Sequence, residues 1–345
     1  MAEIGYRKER LDRGIKARSD EVFLISSYRE ILYTLGPWII PIFCLLIFPL
    51  FKGVIGIYWM NVLIIVVVMA LLAISWVFLS SVGLMSLGQS FFFGVGSYIA
   101  GYFGSNFNWP LFLTIPVSTL GGAAFCTLIL LPVLRLRGIY FALITLALPL
   151  LLMRIIEASK ILGGTEGLSG LTPFPNMWVE YYLGIIVFLL FVFGFRWLID
   201  TDYGLVLRGI RDNDRAILAA GINLTWFKTQ AVFLAALPGT FAGALLTHHY
   251  QFVGIPSFSM EFSLLPLASA IVGGAGTFTG ATVGAFILVP LSEVLRRFGT
   301  LRMVIYAVLL TVSAIGLPEG IFHYLERKYH QFERLVPIEI EKREE

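Results

Sequence analysis

Between residues 38 and 317 the chain is a succession of long apolar runs separated by short polar breaks. An α-helix rises about 1.5 Å per residue, so roughly 20 apolar residues cross the ~30 Å hydrocarbon core of a bilayer. By that measure spanning helices are predicted at 38–57, 59–80, 86–104, 110–131, 138–156, 181–199, 228–248, 262–275, 278–296 and 303–317. Strands of a transmembrane barrel would be about ten residues long and alternate in polarity. These runs are longer and do not alternate, so the expectation is an all-α polytopic membrane protein of about ten transmembrane helices. A polar N-terminal segment (1–36) precedes the membrane domain (37–322), and a charged tail (323–345) follows it. The longest clearly polar break inside the domain is 200–228.

Two runs depart from the apolar norm. GLMSLGQSFFFGVGSYIAGYF (83–103) carries five glycines together with Ser86, Gln89, Ser90 and Ser97. The run at 262–275 is short and leads into GGAGTFTG (273–280). Glycine in a helix interior costs roughly 0.5–1 kcal/mol against alanine, so its repeated use needs a cause. Glycines and alanines recur four apart at Gly96, Ala100 and Gly104, at Gly239 and Gly243, and at Gly276, Gly280 and Gly284. That spacing places them on one helix face, where backbones can approach closely, either for tight packing or beside a thin-walled path.

Composition agrees with a membrane protein: 58% of residues are hydrophobic and 14% charged, and the mean hydropathy is +0.85. Soluble domains are usually about 45–50% apolar with about a quarter of residues charged. No signal peptide is visible, because the first hydrophobic run is long and lacks a small-residue cleavage pattern. Cys44 and Cys126 lie inside apolar runs and read as small buried hydrophobes. The net charge of +3 gives no sign of nucleic-acid binding.

The Lys/Arg bias of short loops sets orientation. Positive charge gathers at Arg7, Lys8, Arg10, Arg13, Lys16, Arg18 and Arg29, in loop 200–228, and at Arg327, Lys328, Arg334, Lys342 and Arg343. Placing all three regions in the cytoplasm requires six helices before the loop and four after it, which the span count supplies. Arg296, Arg297 and Arg302 then fall outside, against the trend. Spans two to five and seven to ten consequently run in opposite directions, as inverted repeats would, and the glycine-rich third and eighth spans correspond. Interrupted helices at matching places in two halves point to a solute path. Ser86, Gln89, Ser97, Gly273 and Gly274 are the candidates to line it. Pro149 frees the carbonyl of Thr145, which adds Thr145 as a candidate or else marks a plain kink.

Other motifs are set aside or left open. GGAGTFTG lacks the Gly-Lys-Ser/Thr ending of a phosphate loop, so this chain does not hydrolyse ATP. His248 and His249 read as interfacial, and no spacing fits a metal site. Arg154 with Glu157, and Glu293 with Arg296 and Arg297, are spaced for pairing near helix ends. An ion-coupled carrier usually shows an intramembrane carboxylate, and none stands out. In loop 200–228, Asp212 or Asn213 caps a helix of two to three turns that continues through RAILAAG and leaves at Gly221. It is either a solvated loop or a docking helix for a cytoplasmic partner.

The ordered segments SLGQSFFFGVGSY (86–98), LRGIYFALITLA (136–147), GGTEGLSG (163–170), YGLVLRGIRDNDRAILAAGIN (203–223), AALPGTFAGAL (235–245), IVGGAGTFTGATVGA (271–285) and LPEGIF (317–322) resemble the LivM-type permease subunits of branched-chain amino acid ABC importers. The resemblance implies a type II-like importer permease in a bacterial inner membrane, with both termini cytoplasmic. Its implied partners are a second, similar permease subunit, two cytoplasmic ATPase subunits and an extracytoplasmic substrate-binding protein. No cofactor is implied for this chain, since the ATPase subunits use the ATP. Arg211, Asp214, Arg215, Ala219, Ala220 and Gly221 would form the ATPase-coupling segment, although Leu218 stands where an acidic residue would open a strict EAA triplet. In the outer loop, Gly164, Thr165, Glu166 and Gly167 would meet the binding protein or solute, or simply form a turn. Urea, short amides or small aromatic acids are alternative cargoes. An ATP-independent channel or secondary carrier is the alternative from another class.

Overall fold

The computed structural model describes residues 3–10, 47, 52–136, 138–299, 304, 308, 311, 320–330 and 333–340. The expected spans at 38–57 and 303–317, and Cys44, lie essentially outside the described residues. The helices are α1 (Lys52–Ser81), α2 (Gln89–Phe107), α3 (Leu111–Leu130), α4 (Ile139–Ser159), α5 (Met177–Ile199), α6 (Asp202–Asp212), α7 (Asp214–Ala219), α8 (Leu224–Tyr250), α9 (Glu261–Gly274), α10 (Phe278–Leu295) and α11 (Gly320–His330). Seven described segments are long and apolar enough to cross a membrane: Gly56–Ser81, Leu111–Arg135, Ile139–Ser159, Met177–Ile199, Leu224–Tyr250, Ile255–Gly274 and Phe278–Phe298.

Burial sorts these helices into layers. The stretch of α1 beyond Gly56 is apolar on every side and buried over most of its length, as is α8. A helix hydrophobic all round belongs in the interior. With α2 they form the centre: α2 packs on α8, and α8 on α1. Around them, α3 packs on α2 and α8, α9 and α10 pack on each other and on α1, and α5 packs on α1. α4 touches α2 and the short 3₁₀ turn Ile255–Phe258, and leaves Ile139, Tyr140, Leu143 and Leu151 exposed. Buried Cys126 fits its expected place in this interior.

The expected span at 86–104 is the helix α2, but it is not among the membrane-crossing seven. Its start lies three residues later than expected, so Ser86 precedes the helix. Thirteen of its residues are buried, including all of Gln89–Tyr98. Its low apolarity is therefore matched by a protein environment in place of lipid.

The expectation of a purely helical chain is corrected by two small antiparallel ladders. Strand β1 (Glu3–Arg10) pairs with β4 (Glu333–Ile340), joining the two polar ends of the chain. Strand β2 (Leu168–Ser169) pairs with β3 (Phe252–Val253), tying the loop before α5 to the loop after α8. Neither ladder could be read from periodicity, since β2 and β3 are two residues each and β1 and β4 pair across almost the whole chain.

Candidate functional site

Polar side chains that lipid cannot solvate are collected on one seam at the start of α2. The Ser75 hydroxyl of α1 donates to Gln89 Oε1 at 3.0 Å and to the Ala235 carbonyl of α8 at 2.6 Å. The Ser263 hydroxyl of α9 accepts from the Ser90 amide at 2.9 Å and reaches the Ser90 hydroxyl at 2.9 Å. Trp76 donates to the Ser86 carbonyl at 2.9 Å, and the Ser86 hydroxyl accepts from the Gly88 amide at 3.1 Å. The Leu87 amide donates to the Thr145 hydroxyl at 3.1 Å, which in turn donates to the Ala142 carbonyl at 2.9 Å. A Cβ on Gly88 would fall on the Thr145 carbonyl, the acceptor that Pro149 leaves free. Glycine at 88 and proline at 149 are thus two sides of one contact.

Of the six path candidates, Ser86, Gln89 and Thr145 are brought together here. Ser97 sits farther along α2, its hydroxyl unpaired among the described residues. Gly273 and Gly274 are not part of the seam; a Cβ on Gly273 would fall on the Gly280 carbonyl of α10. Ser86, Gln89, Ser97 and Thr145 are all at most 2% exposed, so none reaches the surface of this chain. The Gln89 amide nitrogen has no partner among the described residues. Ser90 was noted in the sequence without being made a path candidate, and Ser75 and Ser263 were missed, because isolated serines in apolar runs carry no spacing signal.

A built corner precedes α8. α6 was not expected, and the helix expected from Asn213 onward is α7, six residues long. The Asn213 side chain accepts from the Arg215 and Ala216 amides at 3.1 and 3.3 Å, the N-cap its type favours. At the far end the Gly221 amide bonds the Leu218 carbonyl and the Ile222 amide the Ile217 carbonyl. Gly221 has φ +79°, the left-handed cap that glycine adopts without strain. Asn223 then caps α8. Asp214 pairs with Lys228 at 3.2 Å, whereas Arg211, Arg215, Ala219, Ala220 and Gly221 are exposed. α6 seats against the turn after α1, where Gly83 packs on Arg211.

A family model for the branched-chain amino acid transport system permease component matches residues 58–313. The chain belongs to this family. The high-affinity branched-chain amino acid transport system permease protein LivM of Salmonella typhimurium is 25% identical over 270 residues, covering 69% of this chain and 64% of that protein. LivM of Escherichia coli matches with the same identity and coverage. The match thus spans less than two thirds of these relatives' length. A solved structure of an inward-facing metal-chelate type ABC transporter covers 88% of this chain and 100% of that one, at 18% identity and a TM-score of 0.42. The family match and the seven apolar helices make the chain a multi-pass membrane protein.

Around the loops before α5 and after α8 the structure adds three features. His248 is fully buried, with Nδ1 3.0 Å from the Thr172 carbonyl, so it is not an interfacial side chain. Glu180, in the first turn of α5, is 3% exposed and lies 2.7 Å from His249 Nδ1. This buried carboxylate at the start of α5 was not singled out by the sequence, since Glu180 and His249 are far apart in the chain. In the GGTEGLSG loop the amides of Glu166 and Gly167 both turn inward to the Gly163 carbonyl. Thr165 and Glu166 are exposed and Gly164 is buried. The expected end pairs are present, with Arg154–Glu157 at 2.7 Å and Arg296–Glu293 at 3.1 Å. The larger recess, about 600 Å³ among Thr127, Leu131, Tyr203, Trp226 and Phe233, is apolar and lies away from the seam. Burial pushes the Tyr203 phenol up to about 12, so it stays neutral there. Among the described residues no cluster of His, Cys, Asp or Glu could hold a metal ion.

Proposed function

We propose that this chain is the membrane-spanning permease subunit of an ATP-driven ABC importer for branched-chain or related amino acids. It forms the translocation path with a second, similar permease subunit in the bacterial inner membrane. Two cytoplasmic ATPase subunits hydrolyse the ATP, an extracytoplasmic binding protein delivers the solute, and this chain binds no cofactor of its own. The observation that carries the reading is α7. It has no buried residue, and it exposes Leu218, Ala219 and Ala220 at the end of the one long polar break in the membrane domain. Exposed apolar positions on a capped helix outside the membrane suit docking onto a partner.

Ten spans in two inverted halves fit the packing. The seven membrane-crossing segments, α2, and the runs at 38–57 and 303–317 make ten. The pairing of β1 with β4 supports termini on one side, which suits an even number of spans. Exchanging α1 with α8, α2 with α9 and α3 with α10 maps the neighbour pairs onto one another: α2–α8 onto α9–α1, α3–α8 onto α10–α1, and α2–α3 onto α9–α10. In this reading 37–322 is the permease domain, 1–36 and 323–345 are its cytoplasmic ends, and 200–228 is the coupling loop. The seam residues Ser86, Gln89, Ser97 and Thr145, with Gly273 and Gly274, flank the path and open to it when the helices move. Gly164, Thr165, Glu166 and Gly167 face the binding protein.

The test is reconstitution in proteoliposomes with the cognate permease, ATPases and binding protein. ATP-dependent amino acid uptake is the expected result. Uptake that is unchanged without the ATPases, or that follows a pH gradient alone through Glu180 and His249, overturns the reading in favour of a channel or carrier.

A further inference from the structure

Six ion pairs among the described residues fall into two kinds. Arg154–Glu157, Asp200–Arg208, Arg211–Asp212 and Glu293–Arg296 each have at least one side chain 46% exposed or more. Such pairs contribute little, because water screens them. Asp214–Lys228 differs: the two side chains are 12% and 9% exposed, at 3.2 Å. The Glu180–His249 pair is the other buried one, at the opposite end of the same helix. Removing two charges from water costs nearly as much as their attraction returns, so well-packed apolar residues would serve stability as well. What an ion pair adds is a fixed register between the two elements that carry it.

Those elements are α7 and the first turn of α8. The corner between them is stiff, being closed by the Gly221 turn and the Asn213 and Asn223 caps. Beside the pair is a cleft of about 320 Å³, lined by Val82, Gly83 and Leu84, by Leu136 and Gly138, and by Ile210–Arg215, which leaves α6 and α7 room to shift. From Lys228, α8 runs to Ala235, which Ser75 holds, and then past Pro238 to Gly243, which packs on the Phe93 carbonyl of α2. We infer that the Asp214–Lys228 ion pair is the strut that carries movement of α7 into α8 and so into the seam, both side chains acting as positioning residues for coupled transport. This rests on α7 being the docking helix.

The experiment uses the full reconstituted complex and reads three quantities: ATPase co-purification, ATP hydrolysis and solute taken up per ATP. Leu218→Asp, on the exposed side of α7, tests docking and is expected to abolish co-purification. If it does not, the docking reading fails, whatever the strut does. Asp214→Asn and Lys228→Met are expected to keep ATPase binding and hydrolysis while uptake per ATP falls about tenfold or more, within the usual range of coupling energies. The swapped double variant Asp214→Lys/Lys228→Asp is expected to recover uptake per ATP to within about threefold. Single variants that bind ATPase and keep normal uptake per ATP overturn the strut. If the single variants do not assemble, the swap decides. A swap that assembles with coupled uptake supports the strut, and a swap that stays uncoupled or unassembled overturns it.

Discussion

Two pairs of helices in this permease come equally close, yet they are held in different ways. At α2–α8 a Cβ on Gly96 would fall on the Thr240 carbonyl, and one on Gly243 would fall on the Phe93 carbonyl. At α9–α10 a Cβ on Gly273 would fall on the Gly280 carbonyl, and one on Gly284 on the Ser269 carbonyl. Around α2–α8, however, side chains cross between helices: Ser75 to Ala235, Ser75 to Gln89, Ser90 to Ser263, and Thr240 to the Thr119 carbonyl at 2.9 Å. At α9–α10 the described hydroxyls turn back on their own segments, Ser269 to Leu265, Thr282 to Phe278 and Thr277 to Gly280. Glycine lets backbones meet, but only cross-helix bonds fix their register. The first region is pinned by side chains between helices, whereas the hydroxyl bonds at the second stay within their own segments and α10 is tied to α1 instead, by Tyr58 donating to Glu293 at 2.7 Å.

The largest expected effect tests that difference. Gly243→Ala places a methyl against a carbonyl that the surrounding bonds do not allow to retreat. It should cost about 3 kcal/mol, at the upper end for overpacking. Gly284→Ala meets a carbonyl just as close, but neither Ser269 nor Thr282 bonds across that contact, so about 1 kcal/mol is expected, at the lower end for overpacking. Thermal unfolding of the purified permease in detergent distinguishes the two. Equal losses would remove the difference between the regions.

A smaller effect is expected from the serines. Ser263→Ala removes the acceptor for the Ser90 amide and should cost about 1 kcal/mol, within the range for hydrogen bonds between membrane helices. Ser269→Ala removes only a bond to its own helix and should change stability by less than about 0.5 kcal/mol. Both are read from the same unfolding curves, and a larger loss at Ser269 would contradict the assignment of register to cross-helix bonds.

Much of this architecture was legible in the chain. Long apolar runs mark helices because lipid forces every backbone group to pair within its segment, and α3, α4, α5, α8 and α10 lie close to where the runs place them. The four-residue glycine rows at Gly96 and at Gly239–Gly243 announced a close face, and α2 and α8 prove to share it. Asn213 and Gly221 gave the ends of α7 because cap chemistry is local. α6 was not read from the sequence, although Tyr203, Leu207 and Ile210 recur at helical spacing, because its two glycines and its charged residues fit a loop as well. The partners of Ser75, Glu180 and Lys228 were not legible either, because a long-range pair leaves no trace in spacing. Thr145 shows the boundary between the two cases. Pro149 signalled a freed carbonyl, but only the fold shows that Gly88 and Leu87 occupy that place.

The smallest effect on stability is expected at Gln89, and it is the most informative about function. Gln89→Leu removes the acceptor for one Ser75 bond, but Ser75 keeps its bond to the Ala235 carbonyl. It also removes a buried amide nitrogen that has no described partner, a group whose desolvation is uncompensated. The two terms oppose each other, so stability should stay within about 0.5 kcal/mol of the parent. If Gln89 flanks the solute path, ATP-driven uptake should nevertheless fall, with ATPase co-purification unchanged. A variant equally stable and equally active would leave the pinned region as packing alone, and would move the search for solute contacts to the α9–α10 side, where Gly273 and Gly274 lie.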